Sequence, residues 1–226
     1  MANKRPHSSI SSSDEELLTS GLFSDVTVKC GDRTWDLHRA ILTRCPFFQK
    51  ALEPNRFKES TEKQVEITEQ DPPKVNWVIY FIYTGRANRE LLALLDDDKT
   101  VMETCVTLFR IADFFTFDAL CTQAADVLLE HIIKYATSTQ IAMREGTVVF
   151  GGRAKCVDDD FCDRFFETIR VVYSCGSASF QPLKDALLMF PELTRYRPLR
   201  EDLFKQKLFS ASDFTEFAAD VLESML

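Results

Sequence analysis

Apolar and polar positions alternate twice near the start of the chain and then give way to helical spacing. SDVTVKC (24–30) alternates and is rich in β-branched residues; RTWDLH (33–38) alternates again, with Trp35 and Leu37 on one face. The Gly31–Asp32 pair between them is a hairpin signal, so 24–38 is expected to be a β-hairpin. Two short helices follow, RAILTRC and PFFQKAL, the second with Pro46 in its first turn. KQVEITE (63–69) reads as a third strand.

Helical periodicity dominates from there. In DPPKVNWVIYFIYTG (71–85), Asp71 or Pro72 starts a helix and Gly85 ends it. Val75, Val78, Ile79 and Ile82 share one face, and Trp77, Tyr80 and Phe81 cover much of the rest, a pattern expected of a helix buried on more than one side. RANRELLALLDDDKT reads as a connector with an acidic loop. Residues 101–115 and 117–134 are two amphipathic helices joined by a tight turn, with stripes Cys105, Leu108, Phe109, Ala112, Phe115 and Leu120, Cys121, Ala124, Leu128, Ile132. KYATSTQIAMREGTVVFGGRAKC (134–156) is mixed and carries no clear assignment. Beyond it DDDFCDRFFETIRVVYSC, PLKDALLMF, PLREDLFKQKLF and SDFTEFAADVLESML are helical. Ser212 or Asp213 is a candidate cap for the last, whose stripe is Phe214, Phe217, Ala218, Val221, Leu222 and Met225.

Composition narrows the function classes. The 226 residues are 45% hydrophobic, enough for one substantial core or a domain with a smaller second one. A formal net charge of −8 opposes general nucleic-acid binding, which needs a basic face to displace counterions, so no direct nucleic-acid partner is expected. Glycines number only 7, and GTVVFGGR lacks the Lys-Ser/Thr of a P-loop. No apolar run reaches the length of a membrane span, so no membrane partner is expected. The seven cysteines include no C-x-x-C pair and follow no signal peptide, which suggests an intracellular protein with reduced thiols, cytoplasmic and/or nuclear. The Ser-rich segment 1–18 is expected to be a disordered tail. Within it SSSDEE places acidic groups two to four residues after serines, so Ser11 to Ser13 suit an acid-directed kinase, beside the simpler reading of a solvated tail with a helix cap.

Few residues invite chemistry. His38 and Cys45, in DLHRAILTRCPFFQKAL, would form a Cys–His pair only with a helix N-terminus or a cation lowering the thiol pKa and a group orienting the histidine. Cys45 instead ends a short helix before Pro46. Cys156 and Cys162 flank three aspartates at a spacing unlike zinc ligands, and His131 sits near a helix C-terminus, where an imidazole meets the dipole favourably. No metal, cofactor or enzymatic activity is expected.

FSDVTVKC, WDLHRAILTRCPFFQKAL, FKES, QVEI, FIYTG and LFRIADFFTFDALCTQAADVL follow one another at a spacing that resembles the BTB/POZ domain family. FFETIRVVY and FTEFAADVL, more weakly, resemble the helical extension of small BTB proteins of filamentous fungi. The resemblance implies an α+β fold, a small mixed sheet capped by helical hairpins. It places the BTB/POZ domain at 19–134 and a helical C-terminal extension at 135–226. His38 matches the histidine that turns the second strand into the first helix, a structural role. Asp25 and Arg39 match the acidic and basic pair near the dimer groove, where a guanidinium makes a buried carboxylate tolerable.

Such domains recognise proteins: two copies form a homodimer, and many members bind a cullin scaffold and present a protein substrate for ubiquitin transfer. FKES fits the hydrophobic-x-Glu motif of cullin-binding members, with Phe57 as anchor and Glu59 as the acid, and Tyr83 lies where that cullin-facing surface continues. Local packing under a loop is the other reading of Phe57. No kelch, MATH, ankyrin or zinc-finger segment is read after the domain. A scaffold or transcriptional co-regulator recruiting partners without a ligase is the alternative function.

Overall fold

The structure, a computed structural model, describes residues 8–53, 63–145, 158–210 and 212–226. The chain forms two compact units, one of residues 1–93 and 108–121, the other of 94–107 and 122–226.

The first unit is built on a three-stranded sheet of β1 (Val26–Cys30), β2 (Arg33–Leu37) and β3 (Gln64–Ile67), in the order β2-β1-β3. β1 pairs antiparallel with β2 and parallel with β3. Alternation puts Val26, Val28, Cys30, Trp35, Leu37, Val65 and Ile67 on the buried side. Gly31 takes φ +55°, the left-handed conformation that a two-residue hairpin loop needs at its first position. The crossover from β2 to β3 begins with α2 (Arg39–Leu42) and α3 (Pro46–Ala51). α4 (Pro72–Thr84) follows β3 and ends at Gly85, φ +68°. Val75, Trp77, Val78, Ile79, Ile82 and Tyr83 of α4 are all buried, so this helix is enclosed on several sides. Phe47 and Phe48 of α3 form a ring cluster with Phe114 and Phe115.

Two expectations are corrected in this unit. Residues 8–20 are not a tail but a helix, α1 (Ser8–Ser20). Its composition cannot hold it alone, but tertiary contacts do: Asp14 pairs with Arg44 at 2.8 Å, and Glu15 with Arg86 at 2.7 Å while accepting from the Tyr80 hydroxyl at 2.6 Å. The connector after Gly85 contains α5 (Arg89–Asp96), whose start is held by Asn88 Oδ1 accepting from the Leu91 amide at 2.8 Å and whose Leu91 is buried.

α6 (Val101–Phe114) contributes its first half to the second unit and its last half to the first. α7 (Asp118–Glu145) runs unbroken through residue 134, so the expected boundary at 134/135 falls inside a helix. The unassigned stretch from Ala136 to Glu145 is its continuation, with Ala136 and Thr139 buried.

The rest of the second unit is α8 (Asp159–Ser174), α9 (Gln181–Leu193), α10 (Asp202–Ser210) and α11 (Thr215–Glu223), joined through 3-10 turns. Asp158 caps α8, accepting from the Phe161 amide at 3.4 Å, and Asp159 and Asp160 lie at the positive end of the helix. Phe161, Phe165, Phe190, Phe204 and Phe217 are buried against one another, and Tyr135 stacks on Phe161 at 3.6 Å. Aromatic rings supply large apolar area with few rotors to fix, which suits a core assembled from short helices. α11 starts after a 3-10 turn at Ser212–Phe214, and its stripe is only partly covered: Phe214, Phe217 and Val221 are buried, whereas Leu222 and Met225 are exposed. His131 is buried in this unit with Nδ1 3.6 Å from Asp98, and its Nε2 has no hydrogen-bond partner among the described residues. Burial, with the nearby Lys134 and Arg164 and against the pull of Asp98, holds its pKa below the ordinary value.

Candidate interaction face at the start of α2

The chain enters β1 through a turn at Gly21–Ser24, closed by the Ser24 amide donating to the Gly21 carbonyl at 3.2 Å. Phe23 sits in the third position of this turn with φ +64°, a place that normally belongs to glycine. Its ring is 87% exposed, and Leu22 beside it is 62% exposed.

His38 fastens this turn. The Leu22 carbonyl can only accept, so the 2.7 Å contact to Nε2 places the ring proton there. Nδ1 then accepts from the Tyr83 hydroxyl at 2.9 Å, and the hydroxyl oxygen accepts the His38 backbone amide at 2.8 Å. Every polar group of the imidazole and the phenol is thereby matched. Burial pushes the Tyr83 phenol up to about 12, against the lowering effect of the His38 amide, so it stays a donor. The ring of His38, expected to join backbone groups at the start of the helix, instead bridges the Leu22 carbonyl and the Tyr83 hydroxyl. Tyr83, expected on a cullin-facing surface, is 2% exposed and is corrected to a buried partner of His38.

The Asp25–Arg39 pair is also corrected. Asp25 is exposed, and its Oδ1 accepts the Arg39 backbone amide at 2.8 Å. The carboxylate therefore caps α2, whose own N-cap residue, His38, makes no side-chain capping bond. Arg39 instead lines a groove of about 480 Å³ together with Thr43, Gln49, Lys50, Leu52 and Glu53. Phe57 and Glu59 lie outside the described residues.

Sequence reasoning thus found four residues that the fold gathers around the start of α2, and it missed Leu22 and Phe23. The available signal was two apolar residues directly after Gly21, in a segment that pattern assigns to a turn. Cys45 is buried: burial raises its thiol pKa, and its Sγ points to the Phe115 carbonyl at 3.5 Å. Among the described residues no group of three or more His, Cys, Asp or Glu is placed to hold a metal, and no helix is long and apolar enough to cross a membrane.

A small mixed sheet with α2 and α3 in its crossover, presenting an exposed apolar turn at Leu22 and Phe23, suits a protein–protein interaction domain. The sequence model of the BTB/POZ domain family matches residues 15–132, and the chain belongs to that family. It is similar to Kelch-like protein 41b of Danio rerio, 24% identical over 243 residues, covering 86% of this chain and 40% of that protein. Kelch-like protein 38 of Homo sapiens is 22% identical over 146 residues, covering 55% of this chain and 25% of the relative. Kelch-like protein 24a of Danio rerio is 35% identical over 72 residues, covering 32% and 12%. The chain spans two fifths or less of the length of these relatives.

Proposed function

We propose that the chain is a homodimeric adaptor that links a protein substrate to a cullin-based ubiquitin ligase. The observation that carries the association is Phe23, a large ring held outward in a strained turn by the His38–Leu22 bond. Strain and apolar exposure both cost the isolated chain free energy, and such outliers cluster where a partner covers them. A second copy is the partner assigned to Leu22 and Phe23, with Asp25 and Arg39 at the edge of the contact. The cullin half of the proposal is supported by FKES, with Phe57 entering a pocket of the scaffold and Glu59 beside it. Removing an aromatic anchor of this kind costs roughly 2 kcal/mol or more.

A second reading, a scaffold or transcriptional co-regulator without a ligase, is favoured by the groove lined by Arg39, Thr43, Gln49, Lys50, Leu52 and Glu53, a concave polar surface open to a partner segment. Neither reading involves catalysis or a cofactor, and both place the protein in the cytoplasm or the nucleus. The test is mass-determined size exclusion of the pure protein, alone and with a cullin N-terminal domain. The adaptor runs at twice the 25.9 kDa chain mass and shifts with cullin, and Phe57→Ala abolishes the shift. A dimer that ignores cullin leaves the scaffold, and a monomer that ignores cullin sinks the adaptor and the dimer together.

A further inference from the structure

We propose that Ser13 is a phosphoacceptor for an acid-directed, ATP-dependent protein kinase, gated by the contacts that seat α1. Three adjacent serines carry an acid three residues downstream: Asp14 for Ser11, Glu15 for Ser12 and Glu16 for Ser13. Only Ser13 is followed by acids at all of the next three positions, so it presents the densest negative charge to a basic substrate cleft. Ser13 lies on the solvent side of α1 with Glu16, one turn along, and both are exposed.

The structure adds the gate. A kinase cleft takes its acceptor segment extended, so α1 must open from Ser13 to Glu16. Seated α1 withholds two of the three recognition acids. Asp14 is spent on Arg44, its side chain only 13% exposed, and Glu15 is spent on Arg86 and Tyr80. The Tyr80 hydroxyl first, and then Arg86, hold the Glu15 carboxyl below its ordinary pKa, the mark of an engaged group. Glu16 makes no ion pair among the described residues. The same carboxylates that fasten the helix are therefore those a kinase must read, and each can do only one of the two at a time. A 13-residue helix is marginal without tertiary contacts, so loosening these pairs exposes the whole segment.

The transfer is ordinary phosphoryl chemistry. The Ser13 Oγ forms a bond to the γ-phosphorus of ATP, the bond from that phosphorus to the β–γ bridging oxygen breaks, ADP leaves, and the hydroxyl proton passes to the kinase base. The product carries nearly two negative charges on the outer side of α1.

The full-length chain is incubated with an acid-directed kinase and ATP, and phosphate is located and timed by peptide mass spectrometry. Tyr80→Phe removes one anchor of Glu15 without altering charge or the recognition acids, and the double variant Arg44→Ala, Arg86→Ala removes the ion pairs. Circular dichroism and melting confirm that each remains folded, and Tyr80→Phe alone decides the question if the double variant does not. Phosphate at Ser13 in the wild-type chain, incorporated severalfold faster in Tyr80→Phe and lost in Glu16→Gln, is the expected result. Phosphate at Ser11 or Ser12 in place of Ser13, none at Ser13 in any variant, or a rate indifferent to Tyr80→Phe would overturn it.

Discussion

Replacing Phe23 by glycine moves stability and association in opposite directions. At φ +64° a residue with a Cβ stores roughly 1–2 kcal/mol of strain that glycine does not. Glycine gives back about 0.5–1 kcal/mol through the greater freedom of the unfolded chain. With 87% of its surface exposed, the ring contributes little packing to the isolated chain. Phe23→Gly therefore leaves the monomer as stable as before or more so, by up to about 1.5 kcal/mol, a rise in melting temperature of about 3–6 °C at most. In a dimer the same ring buries area on the order of 150–200 Å², worth up to about 5 kcal/mol at 25 cal/mol per Å². Even an anchor of about 2 kcal/mol weakens the dimer roughly thirtyfold. Sedimentation equilibrium gives the association constant, and calorimetry of dilute monomer gives the melting temperature. A dimer untouched by Phe23→Gly, or a melting temperature lower by several degrees, would refute the reasoning by showing that the ring packs at home.

Tyr83→Phe strands the His38 amide and Nδ1 in a buried site and costs about 1–3 kcal/mol by urea denaturation. Phe165→Ala opens the aromatic core of the second unit and costs about 3–5 kcal/mol in the same assay, with the far-UV signal preserved only at low denaturant. His131 has a folded-state pKa below the unfolded value near 6.5, so the unfolded chain binds the proton more tightly. Its contribution to stability is complete above that pH and is lost as the pH falls through 6.5 towards the lower folded value. Melting at pH 7.5 and 5.5 will show a smaller acid loss in His131→Phe than in the parent chain.

Much of the fold is legible in residue patterns because its signals are local. The period-2 runs around Gly31, the αL glycine after FIYT and the apolar stripes of α6 and α7 each declare an element through a few neighbours. What escaped reading depends on partners distant in sequence. α1 looks like a polar tail until Arg44, Tyr80 and Arg86 are brought to Asp14 and Glu15. α5 is hidden by the Asp96–Asp98 run at its end, although Leu91 and the Asn88 cap suffice to hold it. At the start of α2 the resemblance named His38, Asp25, Arg39 and Tyr83 without their geometry. An aromatic in a buried helix and one on a surface share the same spacing, so the burial of Tyr83 is not legible in the sequence. Asp25 was expected to meet a guanidinium and met a backbone amide, because a helix start offers the nearer donor. Phe23 carries no periodic signal at all, since its conformation is set by a turn and a hydrogen bond from another strand end.

The parallel pairing of β3 with β1 bears on the order in which the molecule is made. β1 and β2 meet across two residues and can zip within microseconds, before anything else is in place. β3 reaches β1 only after the chain has closed a loop of roughly 35 residues, an entropic cost of about 3 kcal/mol beyond the constant term. Until then β1 offers a bare edge along the side where β3 will pair. The hydrogen bond from the Thr27 amide to the Lys63 carbonyl marks where that loop is finally shut. In sequence Phe57 precedes β3, so the residue proposed to reach a cullin is synthesised before the strand that closes the sheet.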